Sequence, residues 1–392
     1  MHLRTRYLVI TATLFIALML FFTWLPVYIE QSRNRVQTKS LATISKQSKQ
    51  LHQSLFIADL HADSLLWDRN LSRKSNYGHV DIPRLIEGNI GLQVFSVVTK
   101  TPKNLNLYKN SDRTDNITLL ALAQLWPPNT WFSLFERAQY QAKKLHRAAH
   151  KSKQFFHIIK SQNDLKQYLQ KRKDNNLITS GLLSLEGAHA LEGNIKNLDR
   201  LFDSGYRIIG FSHFFDNELG GSAHGMLKSG ITEFGKQVLQ RIHELEMFVD
   251  VSHASPKLIN DIVFLSKRPV LATHTGIQSV CSSKSHRNLK DAQIVKIANT
   301  GGLIGIGFWP TSTCGKGVIG IIDSIRYVID LVGIEHVALG SDFDGNVSVP
   351  FSAKDISQIT HALLQTGFNH GQIEKIMGGN IKNLLLRYLP AQ

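Results

Sequence analysis

Short apolar runs alternate along this chain with longer stretches in which apolar residues recur every three or four positions. The runs are Phe56–Leu60, Ile90–Val98, Gly181–Leu185, Tyr206–Phe211, Met247–Val251, Pro269–Ala272, Gly301–Phe308 and Glu335–Leu339. Several are rich in Val, Ile and Phe and short enough to be strands buried on both faces. Between them, Gly230–Glu246 sets Phe234, Val238, Leu239, Ile242 and Leu245 on one helical face, and Asp291–Asn299 and Gly320–Val332 read similarly. Strands alternating with helices predict a parallel sheet of the α/β class, and eight of them predict closure into a (β/α)8, TIM-type barrel. The alternative is an open doubly wound sheet. It would want a glycine-rich phosphate turn after an early strand, and the sequence has none. Thr101–Gln162 breaks the rhythm with Trp126-Pro127-Pro128-Asn129-Thr130-Trp131-Phe132 and then a basic helical stretch from Ser133 to about Lys151. This excursion lies either over the strand ends or beside the barrel.

The first residues follow another pattern. Arg4 and Arg6 precede an apolar run from Tyr7 to about Ile29, with no charge before Glu30 and with Trp24 and Tyr28 at its far end. A bilayer-spanning helix needs roughly 20 such residues, and aromatic side chains favour the interface. The run exceeds the roughly 7–15 residues of a signal h-region, and no small-x-small cleavage site follows it. We therefore expect residues 1–29 to be a transmembrane signal anchor, 30–52 a linker and 53–392 the barrel. The alternative is a cleaved signal and a secreted body. Arg33, Arg35 and Lys39 follow the run and compete with Arg4 and Arg6 in setting orientation. A short basic N-terminus before a single span places the body outside the cytoplasm, on the periplasmic or extracellular side.

Composition changes this picture little. With 392 residues, 43% hydrophobic and 19% charged, the chain can build a large core. The formal charge of +15 is concentrated at Lys143–Lys173 and Arg33–Lys49, without a nucleic-acid motif. It reads as a solvated face that tolerates anionic lipid, and no nucleic-acid partner is expected. Only Cys281 and Cys314 are present, both in loop-like sequence, and no bridge is assigned to them.

Candidate chemistry falls at the strand ends, where barrels of this kind carry their catalytic groups. The first strand ends in His61 and Asp63, which period-two alternation points to one face. The third ends in Glu186, the fourth in His213, the fifth in His253, the sixth in His274 and the eighth in Asp342. Any one of these is an ordinary loop residue or a satisfied buried group. Six strands closed by an imidazole or carboxylate are hard to explain as packing, because buried ionisable groups are costly unless paired or metal-bound. The set exceeds the three or so protein ligands of one catalytic zinc. Two metals about 3.5–4 Å apart would share a carboxylate, and Glu186 is the lone glutamate in the set. One metal would take His61, Asp63 and Glu186, the other Glu186, His253 and His274.

The sequence resembles the membrane dipeptidase (renal dipeptidase) family of zinc peptidases in the amidohydrolase superfamily, from about Ile57 to Leu386. The carrying motifs begin with Asp59-Leu60-His61-Ala62-Asp63, His79-Val80-Asp81-Ile82-Pro83-Arg84-Leu85 and Glu186-Gly187. Asp250-Val251-Ser252-His253, His274, Arg287-Asn288, Gly340-Ser341-Asp342-Phe343-Asp344-Gly345 and Gly378-Gly379-Asn380 follow. The resemblance implies two zinc ions per chain and hydrolysis of dipeptides by a metal-bridging hydroxide. It implies that His213 contacts the substrate near the scissile carbonyl, that Arg287 pairs with the substrate carboxylate, and that Asp342 is the acid–base group. A homodimer is also implied. The chain departs from the family at Phe214–Gly221, where a Thr-Pro-Trp stretch is usual, and in the length of the Thr101–Gln162 excursion. It also ends without the apolar tail that a lipid anchor requires. Rival readings are hydrolysis of a lactam or N-acyl amino acid, and a membrane-tethered barrel that binds peptide without cleaving it.

Overall fold

The computed structural model describes residues 3–37, 41–282 and 286–392; Lys39 lies outside them. Eight parallel strands form the centre: β1 (Ile57–Ala62), β2 (Ile90–Val98), β3 (Thr179–Glu186), β4 (Tyr206–Gly210), β5 (Phe248–Asp250), β6 (Val270–Thr275), β7 (Leu303–Ile306) and β8 (Val337–Leu339). Each pairs with its sequence neighbours, and β8 returns to β1 through Leu339 opposite Asp59. The sheet is thus a closed (β/α)8 barrel. Every residue of these strands is buried, which is why they read as continuous apolar runs.

The helices carry the amphipathic segments outside the barrel. Glu233–Glu244 buries Val238, Leu239 and Ile242, and Thr232 caps it by accepting from the Gly235 amide. Asp291–Asn299 and Val318–Val332 bury one apolar face in the same way, the first through Ile294 and Ile297, the second through Ile321, Ile322, Ile325 and Val328. The excursion holds a helix at Ile117–Ala123, a longer one at Leu134–Lys151 capped by Ser133, and a short strand, Phe156–Ile158, that the apolar pattern does not announce. That strand pairs with Thr179–Gly181 at the start of β3. Two of the quoted motifs do structural work. Asp81 caps the helix Ile82–Glu87 and holds Arg84 at 2.8 Å. Asn380 donates to the Ile334 and Val337 carbonyls at the foot of β8.

The N-terminal segment is helical and apolar from Arg4 to Arg33, long enough to cross a membrane, and no residue of its most apolar stretch is buried. Part of the polar stretch after it is ordered. Arg35–Val36 pairs with Ser348–Val349, and Lys46–Ser54 is a helix capped by Ser45.

The two cysteines correct the expectation. Cys281 and Cys314 form a disulfide, with their Cα atoms 5.3 Å apart. Their 33-residue separation hid the pairing. They follow the adjacent parallel strands β6 and β7, so both loops leave the same end of the barrel side by side.

Candidate metal centre

Register shifts occur at the C-terminal ends of β1 and β6, between Asp59 and Ala62 and between Ala272 and Thr275. Such irregularities re-aim side chains, and here they flank His61 and His274. The barrel narrows beside them. A Cβ on Gly305 or Gly340 would lie 2.0 Å from the Thr273 carbonyl oxygen, so β7 and the end of β8 pass close to β6 only as glycine.

The strand-end residues come together at one mouth. His61 Nε2 lies 3.4 Å from Asp63 Oδ1 and 3.6 Å from Glu186 Oε2. The other Glu186 oxygen, Oε1, lies 2.9 Å from His253 Nε2, 3.3 Å from His274 Nε2 and 3.6 Å from His213 Nε2. One carboxylate therefore faces two separate sets of nitrogen and oxygen atoms. Among the described residues, potential ligand atoms gather in three overlapping groups: His61, Glu186 and His274; Glu186, His213 and His253; and His61, Asp63 and Asp342. Asp342 thus stands beside the first set. His213 stands with His253, closer to the ligand atoms than a purely substrate-binding role required.

These groups suit a divalent cation. His61 Nε2, Asp63 Oδ1 and Glu186 Oε2 are buried without a hydrogen-bond partner, a costly state for polar atoms that nothing compensates. Burial, with Asp63 adding to it, raises the Glu186 carboxyl to about 7. Burial likewise pushes Asp342 well above the usual carboxylate range. At His61 burial opposes protonation, yet Glu186 and Asp63 hold the imidazolium well above its ordinary pKa. A pocket this acidic draws positive charge. His253 and His274 behave oppositely: burial first, then neighbouring cations, keeps both neutral. Their Nε2 atoms sit 3.1 Å apart. Neutral imidazoles converging on one carboxylate oxygen are a metal-ligand arrangement.

The supporting network lies one layer deeper. The Thr273 hydroxyl donates to Asp250 Oδ2 at 2.7 Å. Its oxygen is then an acceptor for His274 Nδ1 at 3.1 Å and His61 Nδ1 at 3.3 Å. A proton held on each Nδ1 leaves Nε2 of the neutral His274 with its lone pair facing Glu186, and would leave that of His61 likewise once a cation displaced its second proton. Asp250 also accepts from the Ser252 and Thr273 amides, fixing the chain before His253 and His274. Asp59 does the same for β8, accepting from the amide and hydroxyl of Ser341. Sequence reasoning gave Asp59, Asp250 and Thr273 no role. The available signal was period two, since Asp59 precedes His61 by two residues.

Asp342 and Asp344, alike in sequence, have different surroundings. Both have positive φ, 62° and 61°, and such outliers gather at functional sites. Asp344 is wholly buried and accepts from Ser64 Oγ, the His79 amide and Arg69. Burial would raise its carboxyl, but Arg69 and these donors hold it down at about 2. Asp342 opens instead on the cavity that also contains Glu186, His213, His253, His274 and Arg287. The Arg287 guanidinium donates to the Ser252 carbonyl at 3.0 Å and lies 4.8 Å from the Trp309 ring centre. Those contacts fix its plane.

Three similarities bear on identity. The curated protein Dipeptidase tcpJ of Claviceps purpurea is 27% identical over 328 residues, covering 81% of this chain and 71% of that one. The crystal structure of dipeptidase AC, a metallo peptidase, superposes with a TM-score of 0.71 at 22% identity, over 86% of this chain and all of the other. A metallo peptidase from Rhodobacter sphaeroides, solved with a phosphinate mimic of the dipeptide L-Ala-D-Ala, gives 0.67 at 22% identity, over 86% of this chain and 99% of that one. At such identities the two structures speak for the fold. The family model for membrane dipeptidases, peptidase family M19, matches residues 45–387. With that match spanning the whole barrel, the chain belongs to the membrane dipeptidase family.

Proposed function

We propose that this protein is a dipeptidase carrying two zinc ions, one held by His61, Asp63 and Glu186 and the other by Glu186, His253 and His274. The family is one of metallopeptidases, which supports a metal. The observation that carries the reading is the division of Glu186, one oxygen towards His61 and the other towards His253 and His274. Ions held there would polarise the scissile carbonyl and make a water acidic enough to act as nucleophile near neutral pH. The chain's own groups perform the rest. Arg287 offers a planar fork to the substrate's C-terminal carboxylate and so selects short peptides. His213, kept neutral chiefly by burial, donates an N–H to the developing oxyanion, an effect worth several kcal/mol where water is excluded. Asp342 takes the proton of the attacking water and delivers it to the departing amine.

We also propose that the helix ending at Arg33 is a single-pass anchor and that the body lies outside the cytoplasm. The disulfide supports this, since such bonds persist in oxidising compartments.

The test is made on the full chain in detergent, by elemental analysis of metal per chain and a dipeptide panel assayed with and without chelator. About two zinc per chain with chelator-sensitive cleavage is expected. Bound metal without dipeptide cleavage would shift the reading to lactams or N-acyl amino acids. No bound metal after zinc is restored would leave a non-catalytic peptide-binding barrel.

A further inference from the structure

The cavity above the ligand cluster has a volume of about 1140 Å³, larger than the roughly 300–1,000 Å³ of an ordinary small-molecule site. Glu186, Asp342 and Arg287 line it deep in the barrel mouth. Part of its wall is not barrel at all. Leu25, Tyr28 and Ile29, at the end of the N-terminal helix, face the same space. Ile29 packs on the buried cluster that includes Leu66, Trp67 and Trp126. Pro26 and Glu30 are themselves buried, whereas the helix before them is exposed. Glu30 is ion-paired with the buried Arg69, whose other partner is Asp344, two residues beyond Asp342. The pairing of Arg35–Val36 with Ser348–Val349 ties the same segment down again. A flexible tether or a discarded leader has no use for a buried ion pair, because each charge is costly once its partner leaves.

We propose that the end of the N-terminal helix is a specificity-determining wall of the substrate site. Leu25, Tyr28 and Ile29 meet the side chains of the bound substrate, and the barrel mouth is held against the lipid surface that the helix enters. The helix is then part of the mature enzyme. This rests on the dipeptidase reading only for the identity of the bond cleaved.

The experiment uses the full chain in lipid nanodiscs. Intact mass of the protein purified from membranes should show the helix retained; a mature chain beginning after Ile29 would overturn the proposal. The double variant Tyr28→Ala/Ile29→Ala should change the ratio of kcat/KM between dipeptides with bulky and with small side chains by about tenfold. Zinc per chain should stay at the wild-type value, and the unfolding temperature should fall only by the packing that Ile29 loses on the buried cluster. Phe15→Ala, on the exposed part of the same helix, should leave the ratio unchanged. An unchanged ratio in the double variant would overturn the proposal. The comparison is run in parallel on bulky and small N-acyl amino acids. Wild-type enzyme that cleaved these and no dipeptide would end the dipeptidase reading, while the ratio on the cleaved set would still decide the wall.

Discussion

At the scale of single residues, the two carboxylates of the Asp342–Asp344 turn show how environment divides like groups. Asp344 is consumed by Arg69, Ser64 and the His79 amide, and Asp342 opens on the cavity. Asp342→Asn should therefore keep zinc per chain near wild type while kcat falls by at least about 10²-fold, since an amide cannot accept and return a proton. Metal analysis and steady-state kinetics on one preparation check this, and full activity would remove Asp342 from the proposed mechanism. Thr273 has a different job. Its hydroxyl connects Asp250 to the Nδ1 atoms of His61 and His274. Thr273→Val keeps the shape and removes that acceptor, and zinc affinity should fall about 10–100-fold. Thr273→Ser should restore most of it, as read by competition with a chromophoric chelator.

At the scale of elements, two links outside the barrel strands hold the mouth. The first is the N-terminal helix, whose Glu30 meets Arg69. Glu30→Gln weakens a charge-assisted bond but leaves Arg69 its contact with Asp344, so the loss should be about 1–3 kcal/mol. Denaturant unfolding of the full chain in detergent would measure it. The second is the Cys281–Cys314 bridge, which joins the loops after β6 and β7 across 33 residues of sequence. Loop-closure entropy for that length is worth about 3–4 kcal/mol. The double variant Cys281→Ala/Cys314→Ala should lower the unfolding midpoint accordingly. Because Arg287 sits on the bridged β6 loop, KM for dipeptides should rise more than kcat falls.

At the scale of the whole molecule, the proposed ligands come from β1 and the turn after it, from β3 and β6, and from the loop after β5, so any ion they share would cross-link distant parts of the barrel. Binding to the folded state alone stabilises it by mass action, about 2.7 kcal/mol at a hundred times Kd. Stripping the metal with chelator should lower the unfolding temperature, and restoring zinc should return it. An unfolding temperature indifferent to chelator would mean that no tight metal site exists in the folded barrel.

What the sequence determined by itself was the alternation of buried strands with amphipathic helices, and with it the barrel. Runs such as Ile90–Val98 are apolar throughout because parallel strands are covered on both faces. The converging residues were legible for the same reason: a parallel barrel sends every strand's C-terminal end to one mouth, so His61, Glu186, His253 and His274 could be grouped before any coordinate. Tertiary structure alone decided the rest. Glu30 and Arg69 are 39 residues apart, Arg69 and Asp344 275 apart, and Asp59 and Ser341 282 apart. Local periodicity carries no information about such pairs, because it records only which face a residue presents. The disulfide and the division of Asp342 from Asp344 arise from closure of the barrel, and the helix end reaches the cavity through the Glu30–Arg69 pair; each sets side by side parts of the chain that no local pattern relates.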